Sequence, residues 1–343
     1  MGRPRRQPRA AIPRREPQSQ PAVYPSMAPL LPPRSRRPLR AHLSRVVASV
    51  LLATAGVAAC TQLDSWQRQA IFAPEHDDQR WFREPPAGTE VFDLTPAPGQ
   101  HVRAWYWQSA NPAAATVLYL HGARWNLNGS VFRMASWADM GFSVLAIDYR
   151  GFGESTRILP SERSAGEDAA AALQELARRQ PDPARRFVYG HSLGGAIAID
   201  LAARPDNPPF AGLIVESSFT NIGAMVQTLK WGWLPGAGLL VTQPFDSLAK
   251  LSRLSTPVLF VHGTRDAVVP HTMSDQLFAA AQNVAPNLKR LVKIDGATHS
   301  GAVRAGAAYA DAVKEFVQDA TAARRGAPMP QRASLDARAH PAE

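Results

Sequence analysis

The chain has very little cysteine, since Cys60 is the only one among 343 residues. Cys60 therefore has no partner for an intramolecular disulfide, and a hydrophobic core must hold the fold. The 45% of hydrophobic residues is ample for such a core. The sequence also lacks an HExxH, a CxxC and a P-loop motif, so it predicts no metal and no organic cofactor. Internal repeats are absent as well, which excludes a solenoid.

Acidic residues are scarce at the start of the chain. Residues 1–59 contain eleven arginines and one acid, Glu16, which leaves 27 basic and 27 acidic residues in the remainder. The formal net charge of +10 is therefore confined to this first segment. Because the rest of the chain is neutral, the charge balance gives no reason to expect a nucleic-acid partner.

The apolar run near the N-terminus is short. It covers 14 residues, 46–59, whereas a membrane-spanning helix needs about 20. The run follows a Pro- and Arg-rich stretch that cannot bury a core, and it ends in small residues, which is the layout of a secretory leader. We therefore expect a signal segment over 1–59 and a polar linker over 60–85, with Met27 as an alternative start.

The sequence VAAC at residues 57–60 resembles the lipobox of bacterial lipoproteins. The resemblance implies that Cys60 is acylated and becomes the new N-terminus, which would anchor the protein to a membrane of the cell envelope. Thr61 stands where the sorting rule of those proteins favours the outer membrane, so we expect a lipid-anchored protein that faces the periplasm. An uncleaved signal anchor with a chance cysteine is the alternative. Residues 35–37 also resemble a twin-arginine signal, which leaves the export route open.

From residue 86 onwards, short apolar runs alternate with helical patterns. Strands are predicted at 89–95, 101–108, 115–120, 142–148, 186–190, 211–217, 257–263 and 289–295. Helical patterns are clearest at 162–180, 193–204, 271–282 and 301–320. This alternation predicts an α/β fold with a mostly parallel eight-stranded sheet and helices on both faces. The domain is expected over 86–320, followed by a disordered tail over 321–343.

Ser192 lies in GHSLGG, where a predicted strand meets a predicted helix of small residues. Reactive groups of open α/β sheets collect beyond the carboxyl ends of the strands, and Ser192 is at such an end. Gly190 and Gly194 remove Cβ atoms that would clash in the strained turn of a nucleophile elbow. The G-x-S-x-G spacing alone is weak evidence, because roughly one chain of this length in ten contains it by chance. Its position favours Ser192 as a nucleophile.

A base and an acid follow in the expected order along the chain. Among nine histidines, elimination leaves His299, which lies in a glycine-containing loop after the last predicted strand, within reach of Ser192. Asp266 follows the penultimate strand, where a carboxylate can accept a hydrogen bond from His299 and fix its tautomer. The alternatives are a helix-capping role for Asp266, and Glu216 as the acid.

These motifs resemble those of the α/β-hydrolase superfamily, in particular its compact serine-aminopeptidase-like and acyl-thioesterase-like branch. The resemblance is carried by LHG (120–122), DYRGFGES (148–155), GHSLGG (190–195), HGTRDAVVP (262–270) and GATHS (296–300). It implies the α/β-hydrolase fold and a catalytic triad of Ser192, Asp266 and His299. In DYRGFGES, we expect Asp148 and Arg150 to hold the loop together.

The resemblance also implies an oxyanion hole formed by the backbone N–H groups of Ala123 and Leu193. The sequence departs from the family pattern at one place: relatives often have HGN followed by small residues, whereas this chain has HGARWNLNG. We therefore expect Arg124 and Trp125 to reshape the acyl or leaving-group side of the site. Only about 40 residues separate the sixth and seventh strands, which leaves no room for a large lid domain. The apolar segment 230–241 in that interval is either a helix on the core or a wall for an acyl chain or membrane contact.

Taken together, the sequence predicts a serine hydrolase that cleaves a carboxylic ester or thioester through an acyl-enzyme on Ser192. Its expected partners are a small-molecule or lipid-like acyl substrate and, through lipidated Cys60, a membrane. A peptidase or amidase is the first alternative, although no acidic site for a substrate amino group is visible. A non-catalytic envelope lipoprotein on a hydrolase scaffold is the second.

Overall fold

The computed structural model describes residues 37–74, 82–228 and 240–328. Its strands are β1 (Glu90–Ala97), β2 (Gln100–Trp107), β3 (Thr116–Leu120), β4 (Ser143–Ile147), β5 (Arg186–His191), β6 (Gly212–Glu216), β7 (Val258–Gly263) and β8 (Lys289–Ile294). Its α-helices are α1 (Arg37–Phe72), α2 (Leu127–Asp139), α3 (Glu162–Arg179), α4 (Leu193–Ala202), α5 (Ile222–Gln227), α6 (Ser247–Leu251), α7 (Thr272–Ala280) and α8 (Ala307–Arg324). The segments Met1–Gly56 and Val57–Glu343 are two separate units.

The eight strands form one sheet in the order β1-β2-β4-β3-β5-β6-β7-β8. β2 pairs antiparallel with β1 and with β4, and every pair from β4–β3 to β7–β8 is parallel. Strands β3 to β7 are buried along their whole length, which explains why their sequences are nearly continuous apolar runs. The predicted mostly parallel eight-stranded sheet is confirmed, and each strand begins and ends within two residues of its expected bounds.

Helices cover both faces of this sheet. On one face, α3, α4 and α7 bury apolar residues such as Leu173, Ile197 and Leu277. On the other face, α2 and α8 bury residues such as Trp137 and Phe316. Helix α2 was not among the clearest helical patterns, because polar residues interrupt its apolar positions. The α/β-hydrolase fold expected from the sequence is thus present with its helices on both faces.

Helix α1 continues into the region where a polar linker was expected. Its last residue, Phe72, has no exposed surface and packs between Phe152 and Phe245, with ring centroids 6.4 and 5.9 Å away. One turn earlier, Arg68 Nε donates to the carbonyl of Pro160 at 2.8 Å. The end of α1 is therefore packed on the hydrolase domain, and the linker prediction is wrong for this part of the chain. The residues that contact α1 are distant in sequence, so the contact could not be predicted from the local pattern.

Helix α1 is longer than the 14-residue apolar run that it contains. The stretch His42–Phe72 is one helix of 31 residues whose most apolar window has a mean hydropathy of 1.9, enough by length and composition to cross a membrane. Its apolar side chains before residue 57 are exposed, as is Cys60. This composition suits a signal segment as well as a span.

Two further expectations concern segment ends. Helix α8 runs to Arg324, and Thr321 donates to the carbonyl of Ala184 at 3.1 Å, so the folded domain extends past the expected limit of residue 320. The remainder of the predicted tail, from residue 329, lies outside the described residues.

Between β6 and β7 the described residues form only the short helices α5 and α6, while most of the apolar segment 230–241 also lies outside them.

Candidate active site

Ser192 is held at a strained turn between β5 and α4. Its φ of 55° and ψ of −120° are unfavourable for a residue with a Cβ. The Ser192 N–H donates to the carbonyl of Glu216, and the Ser218 hydroxyl donates to the carbonyl of Ser192, both at 2.9 Å. A Cβ at Gly194 would overlap the carbonyl of Leu120, so glycine is required where α4 starts. The turn thus has the backbone of a nucleophile elbow.

His299 and Asp266 meet from the loops that follow β8 and β7. The distance from His299 Nδ1 to Asp266 Oδ2 is 2.8 Å, so Nδ1–H donates to the carboxylate, and in the neutral ring Nε2 is then the nitrogen without a proton. The side chain of Asp266 is fully buried, whereas that of His299 is 18% exposed. A neutral imidazole with a free Nε2 at the surface of a cavity can act as a general base.

Three further donors hold the carboxylate of Asp266. His262 Nε2 donates to Oδ2 at 3.0 Å, and the N–H groups of Val268 and Val269 donate to Oδ1 at 2.8 and 2.9 Å. Burial alone would raise the pKa of Asp266, but the hydrogen bonds from His262 and His299 outweigh it and hold that pKa well below its usual range. Asp266 is therefore ionised at neutral pH, as an acid that orients a histidine must be.

Ser192 and His299 line the same cavity, which has a volume of about 360 Å³. The loop 122–125 forms another wall, and Gly122 lies so close that a Cβ there would sit 3.3 Å from Ser192 Cβ. Within the described part of the chain, the N–H groups of Ala123 and Leu193 donate to no other residue. Both expected oxyanion donors are therefore available to a bound oxygen.

Helix α1 contacts the loop 122–125, which carries the expected oxyanion donor Ala123. The N–H of Arg124 donates to the carbonyl of Phe72 at 2.9 Å, and Arg124 adopts a left-handed φ of 72°. Because Ala123 immediately precedes Arg124, this bond fixes the peptide group next to the candidate donor. Sequence reasoning missed the contact, since Phe72 falls in the expected linker.

The histidine next to Ser192, His191, has a structural role that sequence reasoning also missed. His191 Nε2 lies 2.9 Å from the carbonyl oxygen of His299, and the two rings are 4.9 Å apart. Burial lowers the pKa of His191 well below its usual value, so its ring is neutral at pH 7. A neutral Nε2–H donor at this place ties the His299 loop to the elbow.

Glu216, the alternative acid, points into a different cluster. Its carboxylate accepts hydrogen bonds from Arg133 at 2.6 Å, Tyr189 at 2.8 Å and Tyr309 at 2.9 Å. The side chain of Glu216 has no exposed surface. All its described side-chain partners belong to this cluster, so the geometry favours Asp266 as the acid that orients His299. Helix α2, which carries Arg133, gave no functional signal in the sequence.

The loop after β4 is held in place through its polar residues Asp148 and Arg150, as expected. Asp148 accepts the N–H of Leu127 at 2.8 Å, and Arg150 Nε donates to Asp168 at 2.6 Å. Both side chains are buried. In the described ranges, no group of three or more His, Cys, Asp or Glu side chains is arranged to hold a metal ion.

Comparisons with known proteins give the family. The family model of serine aminopeptidase S33 matches residues 111–244, and that of TAP-like proteins matches residues 238–328. The uncharacterized protein MT2364 of Mycobacterium tuberculosis is 32% identical over 278 residues, which cover 80% of this chain and 94% of that protein. The chain belongs to the α/β-hydrolase superfamily. The family predicted from the sequence motifs is thereby confirmed.

More distant similarities agree with this membership. The lysophosphatidylserine lipase ABHD12 of Danio rerio is 32% identical over 202 residues, covering 53% of this chain and 52% of the lipase. The Pyrococcus furiosus esterase Pf2001 superposes with a TM-score of 0.57 at 19% identity, covering 71% of this chain and 96% of the esterase. A puromycin-hydrolyzing peptidase of Mycobacterium tuberculosis superposes with a TM-score of 0.53 at 21% identity, covering 70% of this chain and 40% of the peptidase. These two structures share the fold of this chain.

Proposed function

We propose that this α/β-hydrolase is a serine hydrolase that cleaves a carboxylic ester or thioester through an acyl-enzyme on Ser192. The observation that carries the proposal is the 2.8 Å hydrogen bond between His299 Nδ1 and buried Asp266, in a cavity that His299 shares with the strained Ser192. Acyl transfer requires a serine at such a turn and, in the same cavity, an imidazole that a carboxylate holds in position.

In the first half of the reaction, Ser192 Oγ attacks the acyl carbon while His299 Nε2 takes the hydroxyl proton. The carbonyl oxygen becomes an oxyanion that accepts hydrogen bonds from the N–H groups of Ala123 and Leu193, each worth about 3–4 kcal/mol where such donors have been removed from other enzymes. The C–O or C–S bond then breaks, and His299 gives its proton to the leaving alcohol or thiol.

In the second half, His299 Nε2 takes a proton from water while the water oxygen attacks the acyl-enzyme. Collapse of the second tetrahedral intermediate releases the carboxylic acid and returns the proton to Ser192 Oγ. Asp266 stays ionised throughout and stabilises the imidazolium that forms twice per turnover.

The cavity favours an ester or thioester over the N-terminus of a peptide. An aminopeptidase holds the protonated amino group of its substrate, and a carboxylate is the natural partner of that charge. No Asp or Glu lines the cavity among the described residues. The names of two similar proteins, a lipase and an esterase, agree with this choice. The matching aminopeptidase model and the peptidase neighbour keep an amidase as the second candidate.

A fluorophosphonate probe tests the nucleophile directly, because it labels only an activated serine. Wild-type protein is expected to be labelled at Ser192, and Ser192→Ala to lose both the label and ester hydrolysis by several orders of magnitude. Ser255→Ala is the matched control, because Ser255 is exposed and precedes β7, at the amino ends of the parallel strands, whereas Ser192 lies at their carboxyl ends. A wild-type protein that takes no label would identify a non-catalytic scaffold.

The location we propose is the bacterial outer membrane, with a lipid on Cys60 after removal of residues 1–59. Burial of acyl chains contributes about 0.8 kcal/mol per CH₂, and more than one chain is needed for stable attachment. Cys60 lies on α1 twelve residues before Phe72, about 18 Å along the helix. As far as Phe72, this helix takes the place of the polar linker expected over 60–85, and it would hold the cavity close to the lipid surface.

Substitution of the cysteine separates the lipid anchor from an uncleaved signal anchor. Cys60→Ser is expected to block processing, to abolish palmitate labelling and to leave a protein larger by the leader on a gel. Thr61→Ser is the control, because it keeps the cysteine. An unchanged mass in Cys60→Ser together with an unlabelled wild type would favour the uncleaved anchor, and the hydrolase proposal would be unaffected.

A further inference from the structure

We propose that the cavity selects substrates that carry an anionic group in addition to the scissile bond, and that Arg124 and Arg133 recognise this group. The anionic group is a carboxylate or a phosphodiester, since both present paired oxygens to a guanidinium. This inference names the substrate class of the site and therefore rests on the proposed hydrolase function.

The first observation is the charge of the cavity wall. Two arginines, Arg124 and Arg133, line it together with Ser192 and His299, and no carboxylate lines it among the described residues. Arg124 is exposed, and its guanidinium makes no ion pair in the described part of the chain. Its backbone is fixed by the bond from its N–H to Phe72, so this unpaired cation is built into the wall.

The second observation is an unsatisfied donor on Arg133. This side chain is 1% exposed, and its Nη1 donates to Glu216 at 2.6 Å and to the Tyr189 hydroxyl at 3.2 Å. Its Nη2 is buried with no hydrogen-bond partner. A buried donor without a partner is costly, and the cost disappears when a bound group accepts from it. Arg133 is thus prepared for an acceptor that the protein does not supply.

Nearby acids leave Arg124 without a counter-ion among the described residues, although Glu216 pairs with Arg133. Glu216 lies behind Arg133 and shares its charge with the hydroxyls of Tyr189 and Tyr309. Asp266 is fully buried beneath His299. Burial raises the pKa of Asp148, near the start of α2, to about 8, so this carboxyl is neutral at pH 7. Arg124 is therefore the cation of the wall that can attract an anion from solution, and Arg133 Nη2 is a donor without a described partner.

Matched substrate pairs test the inference. The first pair has a carboxylate on the acyl side: mono-p-nitrophenyl adipate against its methyl ester, with the same leaving group. The second has a phosphodiester on the alcohol side: lysophosphatidylglycerol against the monoacylglycerol with the same chain. The background rate is taken from Ser192→Ala, which removes intramolecular hydrolysis from the comparison. The measured quantity is the ratio of kcat/KM within each pair.

We expect the anionic member of at least one pair to be favoured by about tenfold, and Arg124→Gln to remove most of that preference. Arg253→Gln, at an exposed arginine outside the cavity, is expected to keep it. Higher salt should lower the preference, because Arg124 is exposed. For Arg133→Gln only the ratio of kcat/KM within each substrate pair is informative, because this variant also removes the counter-ion of Glu216.

The outcomes separate the two proposals. Hydrolysis with no preference in either pair would overturn the charge recognition and leave the serine hydrolase intact. A preference that Arg124→Gln leaves unchanged would overturn the assignment to Arg124. The absence of both labelling and hydrolysis in wild-type protein would instead overturn the proposed function, and this inference with it.

Discussion

Asp266 and Glu216 are two buried carboxylates, one in the loop after β7 and one at the end of the neighbouring strand β6, and their surroundings differ in kind. Asp266 accepts from two histidines and from the N–H groups of Val268 and Val269. Glu216 accepts from one arginine and two tyrosines. The first set leaves an imidazole with a free nitrogen at a cavity, whereas the second neutralises a cation in the core. Burial and hydrogen bonding alone therefore do not identify a catalytic acid; the identity of its donors does.

Backbone geometry explains why the two acids diverge. Glu216 is still a strand residue, paired with His191 and Val261, and alternation along β6 places it on the same face as Ile214, against α2 and α8. Asp266 follows the end of β7, where the turn presents two backbone N–H groups to its carboxylate. One acid is fixed by the sheet and the other by a loop.

The largest effect that follows from this comparison is expected for Asp266→Asn. An amide presents an N–H toward Nδ1 of His299 or turns away from it, so the imidazole loses the tautomer in which Nε2 is free. We expect kcat to fall by about 10⁴-fold, as for the equivalent substitution in another serine hydrolase. Steady-state hydrolysis of p-nitrophenyl butanoate measures it, with a melting curve as the check on folding. A larger loss in Glu216→Gln would reverse the assignment of the two acids.

The next effect concerns stability and belongs to Glu216→Gln. Loss of this charge leaves Arg133 buried without its counter-ion, which costs about 3–5 kcal/mol of unfolding free energy. Denaturant unfolding measures the loss, and kcat below the melting temperature should change far less than in Asp266→Asn. The double variant Glu216→Gln/Arg133→Met is the control, since it removes both charges and should regain part of the stability. A double variant no more stable than the single one would show that charge balance is not the cause.

Features that depend on local sequence could be predicted, whereas features that depend on contacts between distant residues could not. The strands β3 to β7 were visible because residues buried on both faces form apolar runs. The order Ser192, Asp266, His299 was visible because Ser192 and Asp266 follow such runs and His299 follows the last predicted strand. Arg133 was invisible because its partner Glu216 is 83 residues away. The docking of Phe72 was hidden for the same reason, since nothing within the predicted linker forms its binding site.

Acid sensitivity sharpens the comparison further. The pKa of Asp266 is held below its unfolded value of about 3.9, so its contribution to stability is present above that pH and is lost as the pH falls toward its folded pKa. We expect Asp266→Asn to lose less stability than wild type between about pH 5 and pH 3. Urea unfolding at both pH values measures the difference, and Asp275→Asn, at an exposed acid, is the control. Equal losses in wild type and Asp266→Asn would show that the lowered pKa does not contribute.

The smallest effect on kcat is expected for Tyr309→Phe, which removes one of the donors to Glu216. The hydroxyl of Tyr309 is 2.9 Å from Oε2, and Oε2 keeps its bond from Tyr189 in the variant. A hydrogen bond to a charged group contributes about 1.5–3 kcal/mol, so the unfolding free energy should fall by about that amount while kcat stays unchanged. Tyr106→Phe is the control, because the Tyr106 hydroxyl has no hydrogen bond within the described ranges. A fall in kcat without a loss of stability would contradict the separation of the two acids, since it would mean that the core cluster acts on the cavity through Arg133.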